Sequence, residues 1–147
     1  MDSLSSLLTI VHFIGLSLAV GAATVKVVLL LRCKSNNAMV PVYLNVVRPI
    51  TKVLITGMIL LTLSGIVWLL DGYPLMTILI IKLVFVAAIW ILGPIIDNVA
   101  EPKFKQLAPT VDQPASPEFG QIMNKYLALE IIATSLFYLI IIYWILA

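Results

Sequence analysis

Four long apolar segments constrain this chain more than any other feature of its sequence. A helix that crosses about 30 Å of hydrocarbon needs roughly 20 mostly apolar residues. Such segments occupy residues 7–31, 53–70, 75–96 and 126–147. Only 11% of the 147 residues are charged, whereas about 25% are charged in an ordinary soluble domain. The sequence therefore predicts an all-α fold, an antiparallel four-helix transmembrane bundle that forms a single integral membrane domain.

The first apolar segment has the position of a signal peptide but differs from one in two respects. The residues before it include Asp2 and no basic residue. Its apolar run is also longer than the central region of a signal peptide. We therefore expect this segment to stay in the protein as the first spanning helix.

Seven of the nine Lys and Arg residues lie in and beside two connecting loops, residues 32–52 and 97–125. They are Arg32, Lys34, Arg48, Lys52, Lys103, Lys105 and Lys125. The opposite ends of the segments carry Asp2 and Asp71. Because cytoplasmic loops are enriched in Lys and Arg, we expect both loops inside and both termini outside. The positive charge of the chain then lies mainly in the inner loops and does not indicate a nucleic-acid-binding surface.

Aromatic residues mark the expected outer interface, where tryptophan and tyrosine rings are enriched. They are Trp68, Tyr73, Tyr143 and Trp144. The second inner loop contains Pro102, Pro109, Pro114 and Pro117. Because proline interrupts a helical pattern, we expect an irregular connector there, in effect a solvated tether.

Common soluble catalytic and metal motifs are absent from the sequence. The single cysteine, Cys33, excludes an intrachain disulfide, a zinc ribbon and a CxxC redox pair. The sequence also lacks a glycine-rich phosphate loop, an HExxH motif and a nucleophile elbow.

Four ionisable residues lie within the spans: His12, Lys26, Lys82 and Glu130. Such residues are costly in a bilayer and are functional candidates by default. From the rise of a helix, His12 and Lys82 lie roughly 8 Å from the outer face. Lys26 and Glu130 lie roughly 8 Å from the inner face. We expect an outer layer that pairs His12 with Lys82 and an inner layer with a structural ion pair between Lys26 and Glu130.

Small residues follow the same face of the first helix as its two ionisable residues. At spacings of three or four, this face reads His12, Gly15, Ala19, Ala22 or Ala23, and Lys26. A parallel series on the second helix reads Gly57, Leu61, Ser64, Gly65 and Trp68. Small residues let either a neighbouring helix or a flat ligand approach the backbone, so both interpretations stay open.

The ionisable residues also have alternative interpretations. Lys26 and Lys82 can extend their ammonium groups to the nearest interface, whereas Glu130 is too short to do so easily and favours a partner. His12, the only histidine, can be a packing residue, a proton relay or a ligand to haem iron or another transition metal. A second haem ligand would come from Lys82, from Met76 or from another subunit.

Short motifs on three of the segments resemble one superfamily of four-helix membrane proteins. They are Val11-His12-Phe13-Ile14-Gly15 through Gly21-Ala22, then Leu63-Ser64-Gly65-Ile66, then Ile81-Lys82-Leu83. The group contains the copper-resistance D (CopD) membrane domains and the HemJ-type protoporphyrinogen oxidases. The resemblance covers all four spans in order. It implies that the protein is located in the bacterial cytoplasmic (inner) membrane.

The resemblance to the HemJ-type proteins implies haem b and a haem-dependent, protoporphyrinogen oxidase-like oxidoreductase. The cofactor-binding roles would belong to His12, as the metal ligand, and to Lys82. The copper-resistance likeness implies copper handling, for which one histidine and no clustered methionines provide few ligands. The alternative function is a noncatalytic accessory or assembly subunit without a cofactor, in contact with lipid and with a second copy or another membrane protein.

Overall fold

The fold is a set of long antiparallel helices. A computed structural model describes residues 3–72, 74–110 and 114–146. Its helices are α1 (Ser3–Ser35), α2 (Val40–Leu70), α3 (Thr77–Ile95), α4 (Glu101–Leu107) and α5 (Pro117–Leu146). A π-helical turn, Ile96–Ala100, joins α3 to α4 without a break, and a 3-10 turn, Asn37–Met39, precedes α2. The expectations placed on Asp2, Tyr73 and Ala147 lie outside the described residues.

Four helical segments are long and apolar enough to cross a membrane: α1, α2 with its preceding turn, α3 continued through α4, and α5. The described residues contain no β-strand. The predicted all-α, four-helix transmembrane fold is confirmed. We call the end of the bundle that contains the α1–α2 and α4–α5 connections the basic end. The opposite end, which contains the Asp71-Gly72 turn, is the turn end.

The helices differ in how extensively they pack against their neighbours. Helix α1 packs most extensively against α2 and also contacts α5, which in turn packs against α3. Residues of all four segments meet in a core at the basic end, which includes the aromatic residues Tyr43, Phe104, Phe119 and Tyr126. A smaller core near mid-length joins Ala19, Ala23, Met58, Ile89 and Phe137. The bundle is therefore most tightly closed toward its basic end.

Two glycines bring the backbones of α1 and α2 into contact. A Cβ added to Gly57 would lie 2.5 Å from Ala19 N, and one added to Gly15 would lie 2.9 Å from Gly57 O. Both distances are too short for a carbon in van der Waals contact, so only glycine fits. At this level the small-residue face of α1 is filled by α2, as the packing interpretation requires.

The helices extend farther at the basic end than the apolar segments indicated. Helix α2 begins at Val40, so much of the expected 32–52 loop is helical. Residues 97–107 are helical as well, which makes the predicted irregular connector wrong for this part. Pro41, Pro102 and Pro117 each stand in the first turn of a helix, where the missing N–H has no intrahelical partner to lose. The described non-helical part of the connector is limited to residues 108–110 and 114–116.

Candidate functional site

The structure brings Lys26 and Glu130 together in the half of the bundle nearer the basic end. The Lys26 Nζ atom lies 2.6 Å from Glu130 Oε1, and both side chains are almost completely buried, at 2% and 3% exposure. The same ammonium group lies 3.4 Å from Asp97 Oδ1. Asp97 is 28% exposed and so reaches the edge of the site. Lys26 on α1 thus contacts two carboxylates that lie on different helical segments.

Two tyrosines and a third carboxylate extend this polar region. The hydroxyl groups of Tyr43 and Tyr126 are hydrogen-bonded at 2.5 Å, although both side chains are buried in the aromatic core. The Tyr126 hydroxyl also donates to Glu101 Oε2 at 3.5 Å. The buried charge cluster, as we name it, consists of Lys26, Asp97, Glu101, Glu130, Tyr43 and Tyr126.

The π-helical turn positions two of the cluster's carboxylates. Asp97 lies in the turn and Glu101 begins the helix that follows it, with Ile96 and Ala100 buried beside them. Such turns are often found at functional sites because they alter the direction of side chains within a helix. The four-residue spacing of Asp97 and Glu101 would place both on one helical face. Sequence reasoning missed them because the nearby prolines favoured an irregular loop.

His12, near the turn end, is held in a defined orientation. Its Nδ1 atom lies 2.8 Å from Ser64 Oγ on α2, and its ring centroid lies 5.0 Å from that of Trp68. The Ser64 hydroxyl lies 2.7 Å from the Leu60 carbonyl of its own helix and can donate its hydrogen there. In the tautomer with its hydrogen on Nδ1, His12 donates this hydrogen bond to Ser64 Oγ and Nε2 carries the free lone pair. In this tautomer, half-buried His12 can bind a metal through Nε2.

Lys82 contacts an aromatic ring, and its charge is also close enough to His12 to act on it. Its Nζ atom lies over the ring of Trp144 on α5, 5.0 Å from the centroid, in the geometry of a cation–π interaction. The hydrogen bond of His12 goes to Ser64. Lys82 and Trp144 thus join α3 to α5 at the turn end, whereas His12 and Ser64 join α1 to α2.

Within the described ranges, no group of three or more His, Cys, Asp and Glu residues is arranged to hold a metal ion. Iron held by a single protein histidine and a porphyrin needs no such group. His12, the single histidine of the sequence, supplies one imidazole nitrogen near the turn end.

The chain matches no protein-family model, and it has no significant match among curated proteins or solved structures. The geometry of these two regions is therefore what bears on function.

Proposed function

We propose that this integral membrane protein binds haem b through His12 and takes part in a redox reaction. The observation that carries the proposal is the orientation of the imidazole, with Nδ1 2.8 Å from Ser64 Oγ, which leaves the lone pair of Nε2 available to a metal. A histidine that ligates a metal commonly donates its other ring N–H to such a hydrogen-bond acceptor, which fixes the tautomer.

The surroundings of His12 are compatible with this group. The residue lies on a helix long and apolar enough to span a membrane, beside the Trp68 ring. Lys82, also near the turn end, supplies a positive charge for a haem propionate or a second ligand. Bound haem b would supply one-electron chemistry at iron. The protein's own contribution would be the axial ligand, its orientation by Ser64 and an apolar environment.

A visible absorption spectrum of the detergent-purified protein, oxidised and then reduced with dithionite, tests the proposal. Protein from haem-replete cells should show a Soret band. The His12→Ala variant should lose that band while remaining folded, and Ser64→Ala should weaken haem binding without abolishing it. Ser17→Ala is the matched control, because Ser17 also bonds to its own helix but is exposed on another face of α1.

A colourless wild-type protein from haem-replete cells would contradict the proposal. So would an unchanged Soret band in His12→Ala. If haem is present and depends on His12, oxidation of protoporphyrinogen is the first reaction to assay, because the sequence resembles the HemJ-type oxidases.

A noncatalytic accessory or assembly subunit is the second candidate, and the surface of α3 favours it. Ile89 is the one buried residue of α3. The exposed apolar residues of α3, among them Ile80, Val84 and Ile91, are available to lipid, a second copy or another membrane protein. In this function the His12–Ser64 hydrogen bond only ties α1 to α2. A colourless protein that copurifies with a stoichiometric membrane partner would support it.

We further propose that the protein resides in the cytoplasmic membrane with its basic end inside. The seven basic residues of the two loops and their flanks support this orientation. Both chain termini then lie outside.

A further inference from the structure

The buried charge cluster contains more acidic than basic groups, and the haem proposal does not use it. Three carboxyl groups, those of Asp97, Glu101 and Glu130, surround a single ammonium group, that of Lys26. If all were ionised, two negative charges would remain without a neutralising partner in the cluster. Glu130 is almost completely buried, whereas Asp97 and Glu101 are partly exposed. A carboxylate is unfavourable to the extent that it is withdrawn from water unless a proton or a cation neutralises it.

The groups around the cluster do not remove this imbalance. Arg48, exposed on α2, is close enough to Glu101 to act on its charge, but it supplies one positive charge from the periphery. Cys33 on α1 and the two tyrosines are neutral in their protonated forms and add none. When all three carboxyl groups are ionised, at least one negative charge therefore has no cationic partner in or beside the cluster.

The position of Lys26 argues for a proton over a metal cation. Its ammonium group lies 2.6 Å from one carboxylate and 3.4 Å from another, so it occupies the place between them where a cation would bind. A proton needs no additional volume, since it binds directly to a carboxylate oxygen.

The cluster also has the parts needed to exchange a proton with water. Asp97 is partly exposed and forms its edge, whereas Glu130 lies at its buried side. Lys26 contacts both carboxylates, and the hydrogen-bonded hydroxyls of Tyr43 and Tyr126 continue to Glu101. The cluster thus contains two contacting series, Asp97–Lys26–Glu130 and Tyr43–Tyr126–Glu101, and a proton entering at Asp97 meets the first of them.

We infer that the buried charge cluster is a proton-binding site, in which Asp97, Glu101 and Glu130 together hold an exchangeable proton beside Lys26. Uptake transfers one proton from water at the basic end to a carboxylate and converts it into a neutral carboxylic acid. Release returns that proton to water. The cluster is a separate site from His12. On α1, His12 lies 14 positions before Lys26, which is roughly 21 Å along the helix.

Infrared spectroscopy of the purified protein tests this inference, because protonated and ionised carboxyl groups absorb at different frequencies. Folded wild-type protein at neutral pH should show a protonated carboxyl band that shifts in D₂O and disappears as the pH is raised. Glu130→Gln should remove or shift this band. Glu118→Gln, which changes an exposed carboxylate on the same helix, should not affect it.

Asp97→Asn provides a second variant at the partly exposed edge in case Glu130→Gln does not fold. Absence of the band in folded wild-type protein at neutral pH would overturn the inference. A band unchanged in both cluster variants would do the same. Loss of the band when sodium replaces choline at constant pH would identify a monovalent cation as the ligand and would also overturn it.

Discussion

Lys26 has one carboxylate partner at 2.6 Å and another at 3.4 Å. Its depth in the bundle leaves the side chain of Lys26 2% exposed, so the ammonium group does not extend to the interface. A buried ion pair contributes little compared with an apolar pair, but removing one member leaves an uncompensated charge. The stability of this region therefore depends on keeping the number of charges matched.

Lys26→Met should destabilise the protein more than the double variant Lys26→Met with Glu130→Gln. The single change leaves Glu130 buried without its cation, at a cost of about 3–5 kcal/mol. Unfolding in mixed micelles measures both free energies, with the exposed Lys125→Met on α5 as the control. Additive losses from Lys26→Met and Glu130→Gln would show that the two side chains are not coupled.

Tyr126→Phe should cost more stability than Tyr43→Phe. Tyr126 bonds to both Tyr43 and Glu101, so its removal leaves the buried Tyr43 hydroxyl without this partner. We expect a loss of about 1–3 kcal/mol for Tyr126→Phe and a smaller loss for Tyr43→Phe. Tyr138→Phe, which removes an exposed hydroxyl bonded to Thr24, is the control. Equal effects in all three variants would contradict the proposed hydrogen-bonded series.

At the scale of elements, the crossing of α1 and α2 has no space for a side chain at its closest point. Both contacts of an added Cβ on Gly57 within 2.7 Å are to backbone atoms, those of Ala19 and Gly15. Backbone cannot rotate away as a flexible side chain can, so the two helices would have to separate.

Gly57→Ala should therefore destabilise the bundle by about 1–3 kcal/mol, as overpacking does, despite the higher helix propensity of alanine. Gly65→Ala is the matched control, because Gly65 lies on the same helix as Gly57 but a Cβ added there would meet no atom of a neighbouring helix within 4 Å. We expect it to be neutral or stabilising by up to about 1 kcal/mol. Unfolding of both variants in the same micelles measures the difference, and equal effects would exclude a tight crossing at Gly57.

At the scale of the whole molecule, the distribution of charge between the two ends predicts its orientation. The described turn end carries Asp71, whereas the basic end carries lysines and arginines on both sides of the α1–α2 and α4–α5 connections. Because positively charged loops are retained on the cytoplasmic side, the turn end should face outward.

Cysteine labelling in intact cells tests this orientation. In a Cys33→Ser background, Asp71→Cys should react with a membrane-impermeant thiol reagent, and Lys105→Cys should react only after the cells are opened. Both positions are exposed, so the contrast depends on the side of the membrane. Labelling of Lys105→Cys in intact cells would reverse the proposed topology.

The sequence by itself determined the four membrane-spanning helices, because the apolar length needed to cross a bilayer is a local property of the chain. It also identified Lys26 and Glu130 as candidates for an ion pair, since each is isolated within an apolar segment and so needs a partner. The tight contact of Gly15 with Gly57 lay within the predicted small-residue faces. The distance between the two backbones at this contact, however, depends on the angle at which α1 and α2 cross.

Only the tertiary structure decided how the cluster is assembled. Asp97 and Glu101 join Lys26 because a π-helical turn continues α3 into α4, whereas the local proline content indicated a loop. Tyr43 and Tyr126 meet across 83 positions of sequence, and Lys82 lies on Trp144. These contacts depend on which helices pack against each other. The sequence does not specify this packing, because each apolar helix face is equally compatible with lipid.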